Sequence, residues 1–201
     1  MSMVITYVCG RGLYLNLTNR CPNACKFCVR EIHDSVGDAE NLWLDAEPTI
    51  EQIKRALDER DLSQFDEVVF CGFGEPFCRA DEVEELSRYI KSKRNIPIRV
   101  NTNGLGNRVS GRDILPPLRG LVDVLSISLN APTAEEYDAL CHPKFGPSAF
   151  RDLLDFAREA VSLGFDVTMT VISTMEKEKI EQCRALCEDI GARFRVREII
   201  T

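Results

Sequence analysis

Apolar runs of strand length recur along this chain, and stretches with helical periodicity separate them. Runs at residues 13–17, 67–71, 96–101, 122–129, 166–172 and 193–199 read as strands. Between the first two, Thr49-Ile50-Glu51-Gln52 has capping-box spacing ahead of a stripe of Ile53, Ala56 and Leu57. A helix is expected over 81–93. Thr133-Ala134-Glu135-Glu136 is a second capping box. Phe150, Leu153, Leu154, Ala157 and Val161 then share one face of a helix that Gly164 ends. A last helix spans 177–189, and Pro116-Pro117 breaks the segment before the fourth strand. Such alternation implies right-handed crossovers and a parallel sheet, with chemistry at the C-terminal ends of the strands. Six units are too few for the closed eight-stranded barrel. The pattern allows a flat doubly wound sheet or an open, partial barrel.

No internal repeat, low-complexity tract or linker interrupts residues 1–201, so one domain is expected. The balance of 25 Lys+Arg against 32 Asp+Glu gives a net charge of −7. That argues against general nucleic-acid binding and leaves only a local basic groove open. The apolar runs fall far short of the ~18 residues that span a bilayer, so no membrane association is expected. Residues 1–8 carry no basic n-region, so no signal peptide is expected. Nine cysteines accompany two histidines, too sparse for a disulfide-stapled secreted domain. A cytoplasmic setting is expected, where cysteines at this density bind metal or perform chemistry.

Cys21, Cys25 and Cys28 stand in Cys21-Pro22-Asn23-Ala24-Cys25-Lys26-Phe27-Cys28, at the C-terminal end of the first strand. Three thiolates at C-x3-C-x2-C spacing suit three corners of an iron–sulfur cube. An electron-carrying [4Fe–4S] cluster takes four cysteines, so three local ligands leave one iron open. A structural zinc site needs a fourth ligand and typically a second closely spaced pair. Cys9 or His33 offers a fourth, but the other closely spaced pair, Cys183 and Cys187, reads as a helix face rather than a finger loop. Cysteines as core hydrophobes do not explain three within eight residues among polar neighbours.

These residues resemble the radical S-adenosylmethionine (SAM) superfamily, and the likeness extends over nearly the whole chain. Its hallmark is the C-x3-C-x2-C loop with an aromatic, here Phe27, before the last cysteine. Cys71-Gly72-Phe73-Gly74-Glu75-Pro76 resembles the family's Gly-Gly-Glu-Pro element, departing from it at Phe73. Asn101-Thr102-Asn103-Gly104 resembles the Thr-Asn-Gly turn. Ser126-Ile127-Ser128-Leu129-Asn130 is similar to the strand that holds the SAM ribose and carboxylate. The short TatD-associated radical SAM proteins, found beside or fused to TatD-like hydrolases, are the most similar. Leu17-Thr18-Asn19-Arg20-Cys21-Pro22 reads like their cysteine loop, and they share the Gly-Phe-Gly-Glu-Pro form.

The resemblance implies an open (β/α)6 partial barrel of the TIM type carrying a [4Fe–4S] cluster and SAM. Cys21, Cys25 and Cys28 would hold the cluster. Phe27, Gly74, Glu75, Thr102, Asn103, Ser128 and Asn130 would hold SAM. The implied reaction is reductive cleavage of SAM to a 5′-deoxyadenosyl radical that abstracts hydrogen from a substrate. An electron donor of flavodoxin or ferredoxin type and a TatD-like hydrolase are the implied partners. Physically, Gly74 admits a close backbone approach to an ammonium, and Glu75 can stabilise that charge or the turn presenting it. Hydroxyl and amide groups on Thr102, Ser128 and Asn130 suit a ribose and a carboxylate. The competing readings are an activase that installs a radical on a partner protein, and a non-enzymatic zinc or iron–sulfur module.

Among the remaining cysteines, Cys183 and Cys187 at i, i+4 read as the apolar face of a helix, and Cys71 reads as core. An auxiliary cluster is not expected from them. Cys78 and Cys141-His142 are placed in solvated loops at the mouth. Arg193, Arg195 and Arg197 alternate with Phe194 and Val196. They read as charged guards of an exposed edge strand, with a lumenal anion-binding role as the alternative.

Overall fold

The computed structural model of the chain describes residues 3–198. In order come β1 (Thr6–Cys9), β2 (Gly12–Leu15), α1 (Ile50–Asp58), β3 (Glu67–Phe70), α2 (Ala80–Lys93), β4 (Ile98–Thr102), α3 (Gly106–Ser110) and α4 (Leu115–Leu118). Then follow β5 (Val124–Ser128), α5 (Ala134–Cys141), α6 (Ser148–Ser162), β6 (Asp166–Ile172), α7 (Lys177–Ile190) and β7 (Arg193–Arg197). The strands form one sheet in sequence order, from β1 at one edge to β7 at the other. Strands β2 to β7 run parallel. This is the expected open arrangement of six βα units. Among the described residues β1 and β7 do not pair, so the sheet does not close. The last strand was expected to reach Ile199, which lies outside the described residues.

One strand was not expected. β1 pairs antiparallel with β2, matching Cys9 with Gly12 across the two residues Gly10 and Arg11. Gly10 takes φ +59°, the left-handed conformation that such a tight turn requires. Pro116-Pro117 does not simply break the chain. It opens the short helix α4, where the missing N–H groups cost nothing.

Side chains on the two faces of the sheet differ sharply. One face carries Leu13, Leu15, Val68, Phe70, Ile98, Val100, Leu125, Ile127, Val167, Met169 and Val171, all buried in a single core with the helices. Each fully buried aliphatic side chain contributes about 1.5–3 kcal/mol. The register places Tyr14, Arg99, Asn101, Ser126, Ser128, Thr168 and Thr170 on the other, lumenal face. On the β1 side the lumen is filled by a second apolar cluster of Tyr7, Ala39, Leu42 and Phe73 with partly buried Tyr14 and Val36. Trp43 packs edge-on against Phe73 at 5.1 Å between ring centroids.

Candidate active site

The thiol loop leaves β2 and is held on both flanks before any ligand is considered. On one flank it is hydrogen-bonded to the end of α5. Ala24 N–H donates to Cys141 O (3.0 Å), Lys26 N–H to Leu140 O (3.1 Å), and Lys144 N–H to Pro22 O (2.7 Å). Beneath these bonds, the Asn23 amide donates to the buried Tyr137 hydroxyl at 2.9 Å. On the other flank Glu75 N–H donates to Arg20 O (2.8 Å). Buried Arg79 donates to Leu17 O (2.9 Å) and Pro48 O (2.8 Å). Gly74 lies directly against the backbone carbonyls of Thr18 and Arg20, leaving no room for a Cβ.

Burial pushes Cys21 up to about 12, and raises Cys28 as well. Cys25 is lowered, chiefly by a hydrogen bond from Cys141, whose own thiol is raised by the same contact. Two of the three thiols therefore keep their protons until a cation displaces them. Ligands of a four-iron cube bind separate corners, and three thiols on one loop, with no charged partner among them, are a donor set of that kind.

The expected SAM residues fall into two groups. Glu75, Thr102 and Asn103 form one network. One oxygen of the buried Glu75 carboxylate accepts from Phe77 N–H (3.1 Å) and Thr102 Oγ1–H (2.7 Å), and the other accepts from Asn103 N–H (2.7 Å). Thr102 Oγ1 also accepts from Gly104 N–H at 3.0 Å. Of the two roles expected for Glu75, the one visible here is to hold the turn and its neighbour after β4. Burial outweighs these hydrogen bonds and lifts its carboxyl to about 6. Asn103 extends the network to the cluster loop, its Nδ2 lying 3.8 Å from Cys21 Sγ.

Ser128 and Asn130 form the second group, after β5. Ser128 is half-buried on the lumenal face opposite Thr170. Asn130 is buried in a left-handed conformation, φ +59°. Its Nδ2 lies 3.9 Å from Cys141 Sγ, while its buried Oδ1 has no hydrogen-bond partner among the described residues. An orphaned buried acceptor costs about 1–3 kcal/mol, so its position awaits a donor. Beside it opens a cavity of about 380 Å³, lined by Ala131, Leu140, Ile172, Met175 and Lys179.

Two expectations change at the mouth. Cys141 is not in a solvated loop; it is the last residue of α5, fully buried against Cys25, because the loop docks on that helix end. His142 is exposed and caps α5 in the left-handed conformation. Cys78 lies in a 3-10 turn after Glu75, half-buried and pushed up to about 11 by that burial. The arginines of β7 lie on an edge strand as expected, with Arg193 and Arg195 exposed and Arg197 half-buried, and they share the face of Thr168, Thr170 and Ile172. Phe27 lies beneath one of them, with Arg197 Cζ 5.8 Å from its ring centroid. Arg79, Asn23 and Tyr137 were not singled out from the sequence. Only the arginine of Pro76-Phe77-Cys78-Arg79, within an apolar turn, hints at a buried role.

A family model for the radical SAM superfamily matches residues 15–190. The chain belongs to the radical SAM superfamily, enzymes whose cofactors are a [4Fe–4S] cluster and SAM. Among solved structures, SuiB from Streptococcus suis bound to S-adenosylmethionine aligns with TM-score 0.67 and 18% identity, over 93% of this chain and 38% of that one. A radical SAM methyltransferase from Sphaerobacter thermophilus aligns with TM-score 0.59 and 21% identity, over 96% and 57%. The FeFe-hydrogenase maturase HydG from Carboxydothermus hydrogenoformans aligns with TM-score 0.64 and 18% identity, over 94% and 44%. At such identities the likeness is one of fold. The chain spans well under two thirds of each. Comparison with curated protein sequences gives no match.

Proposed function

We propose that Cys21, Cys25 and Cys28 ligate three irons of the cluster and that Gly74, Thr102, Asn103, Ser128 and Asn130 surround SAM. When bound, cluster and SAM together supply one-electron cleavage of SAM to methionine and a 5′-deoxyadenosyl radical. The protein's part is to gather the thiols, orient the nucleoside and shield the lumen from water. Glu75 acts as a positioning residue, tying the turn after β3 to the loop after β4. Phe27 covers the cluster side of the lumen. The cavity beside Asn130 combines apolar walls from Ala131, Leu140, Ile172 and Met175 with the polar groups of Asn130, Glu136 and Lys179, a lining that suits an adenosine. The observation that carries this reading is Asn103, whose backbone is held by Glu75 and whose side chain reaches Cys21. One residue thereby joins the proposed SAM turn to the proposed cluster loop.

The finer assignment follows the sequence motifs. The Leu17–Pro22 and Gly72–Pro76 segments support a place among TatD-associated radical SAM proteins. A TatD-like hydrolase, a flavodoxin- or ferredoxin-like electron donor and a cytoplasmic setting go with that assignment. No helix of the described residues is long and apolar enough to cross a membrane.

Anaerobic reconstitution tests the core of the proposal. The protein should take up about four irons and four sulfides per chain. Cys25→Ala should lose the cluster, and Cys183→Ala, a core position on α7, should keep it. With dithionite the parent should convert SAM slowly to 5′-deoxyadenosine. Stoichiometric zinc without iron–sulfur absorption would overturn the reading.

A further inference from the structure

Four arginines project from the lumenal face, and they differ in what neutralises them. Arg99 on β4 meets Glu67 at 2.6 Å. Arg193, at the N-terminal end of β7, pairs with Asp166. Arg195 and Arg197, further up the same strand face, have no carboxylate of the described residues within ion-pair distance. The nearest acidic residue in sequence, Glu198, is engaged by Ser173 Oγ at 2.7 Å. Arg197 is half-buried and rests on Phe27, whereas Arg195 is exposed. A guard for a strand edge gains nothing from burying its charge, yet Arg197 is half-buried.

We propose that Arg195 and Arg197 form an oxyanion site in the lumen that takes a carboxylate or phosphate group of the substrate. Two positions apart on one strand, their side chains lie roughly 7 Å apart at the backbone, a spacing that two planar forks can close on one oxyanion. Thr170, beside Arg195 in the register, adds a hydroxyl on the same face. The residues assigned to SAM lie at the C-terminal ends of β3, β4 and β5, and the cavity offered to its nucleoside reaches Ile172, the register neighbour of Arg197. The proposal rests on the reading of the lumen as a radical SAM reaction chamber.

The test titrates reconstituted protein at low ionic strength with inorganic phosphate, followed by the ³¹P line width, and with ¹³C-labelled succinate. Iron content and SAM affinity are measured on the same samples. The parent should bind at least one of the two anions, and the stronger signal identifies the group. Arg195→Ala and Arg197→Ala should each weaken that binding at least tenfold. Arg193→Ala, whose charge is already paired, should leave it within about twofold. Arg197→Lys, which keeps the charge but loses the fork, should fall between. Absence of binding by the parent, or equal binding by parent and the Arg195→Ala/Arg197→Ala double variant, would overturn the proposal. So would an equal loss of SAM affinity in that variant, which would assign the arginines to the SAM carboxylate. A parent that binds the anion but takes up neither iron nor SAM would instead overturn the underlying reading of the chamber.

Discussion

Glu75 carries the sharpest prediction at the scale of single residues. Its carboxyl sits at about 6 in the fold against an ordinary value of 4.5, with burial as the largest cause. Between those two values the folded chain holds more protons than the unfolded one, so this group's contribution to stability falls as pH rises. The shift amounts to about 2 kcal/mol, from 1.36 kcal/mol per unit. Urea unfolding of the parent and Glu75→Gln at pH 4 and pH 7 should therefore show the variant gaining about that much relative to the parent at the higher pH. A pH-independent difference would mean that the three donors fully offset the burial. The three cysteines, Glu75 and Asn103 were legible in the sequence because their spacing and turn chemistry are local. That Thr102 faces Glu75, and that Arg79 anchors Leu17 and Pro48, was not, since those contacts join segments about 27 to 62 residues apart.

The cluster loop behaves as an element in its own right, seated between α5 and the turn after β3. Gly74→Ala would drive a methyl group into the carbonyls of Thr18 and Arg20. A loss of about 1–3 kcal/mol is expected, together with slower iron uptake as the loop is displaced. Tyr137→Phe should cost about 1–3 kcal/mol, because the Asn23 amide is left buried without its acceptor. Thermal unfolding of metal-free protein measures both. β6 was expected over the residues it occupies, since seven residues with a buried apolar row leave little freedom in its ends. β1 escaped notice because four residues and a two-residue turn carry too little pattern, and its pairing is set by β2. The docking of Cys141 on Cys25 was likewise illegible, being a contact between a loop and a helix end 116 residues apart.

Across the whole molecule the open sheet has unlike edges. Beside β1 the lumen is packed with Tyr7, Leu42 and Phe73, and beside β7 it carries arginines and hydroxyls. The apolar end of that contrast was not visible until strand order was known, whereas a lumenal place for the arginines was one of two readings their alternation allowed. The clamps on the thiol loop are hydrogen bonds and packing, none of which requires iron. Metal-free protein should therefore unfold cooperatively and, once reconstituted, gain only a modest rise in Tm; a molten metal-free state by near-ultraviolet circular dichroism would contradict this. Small zinc domains, by contrast, fold only as they bind. The consequence is one of timing in the cell. A loop held by its own hydrogen bonds can take up metal after the chain has folded, so folding need not wait on the supply of iron.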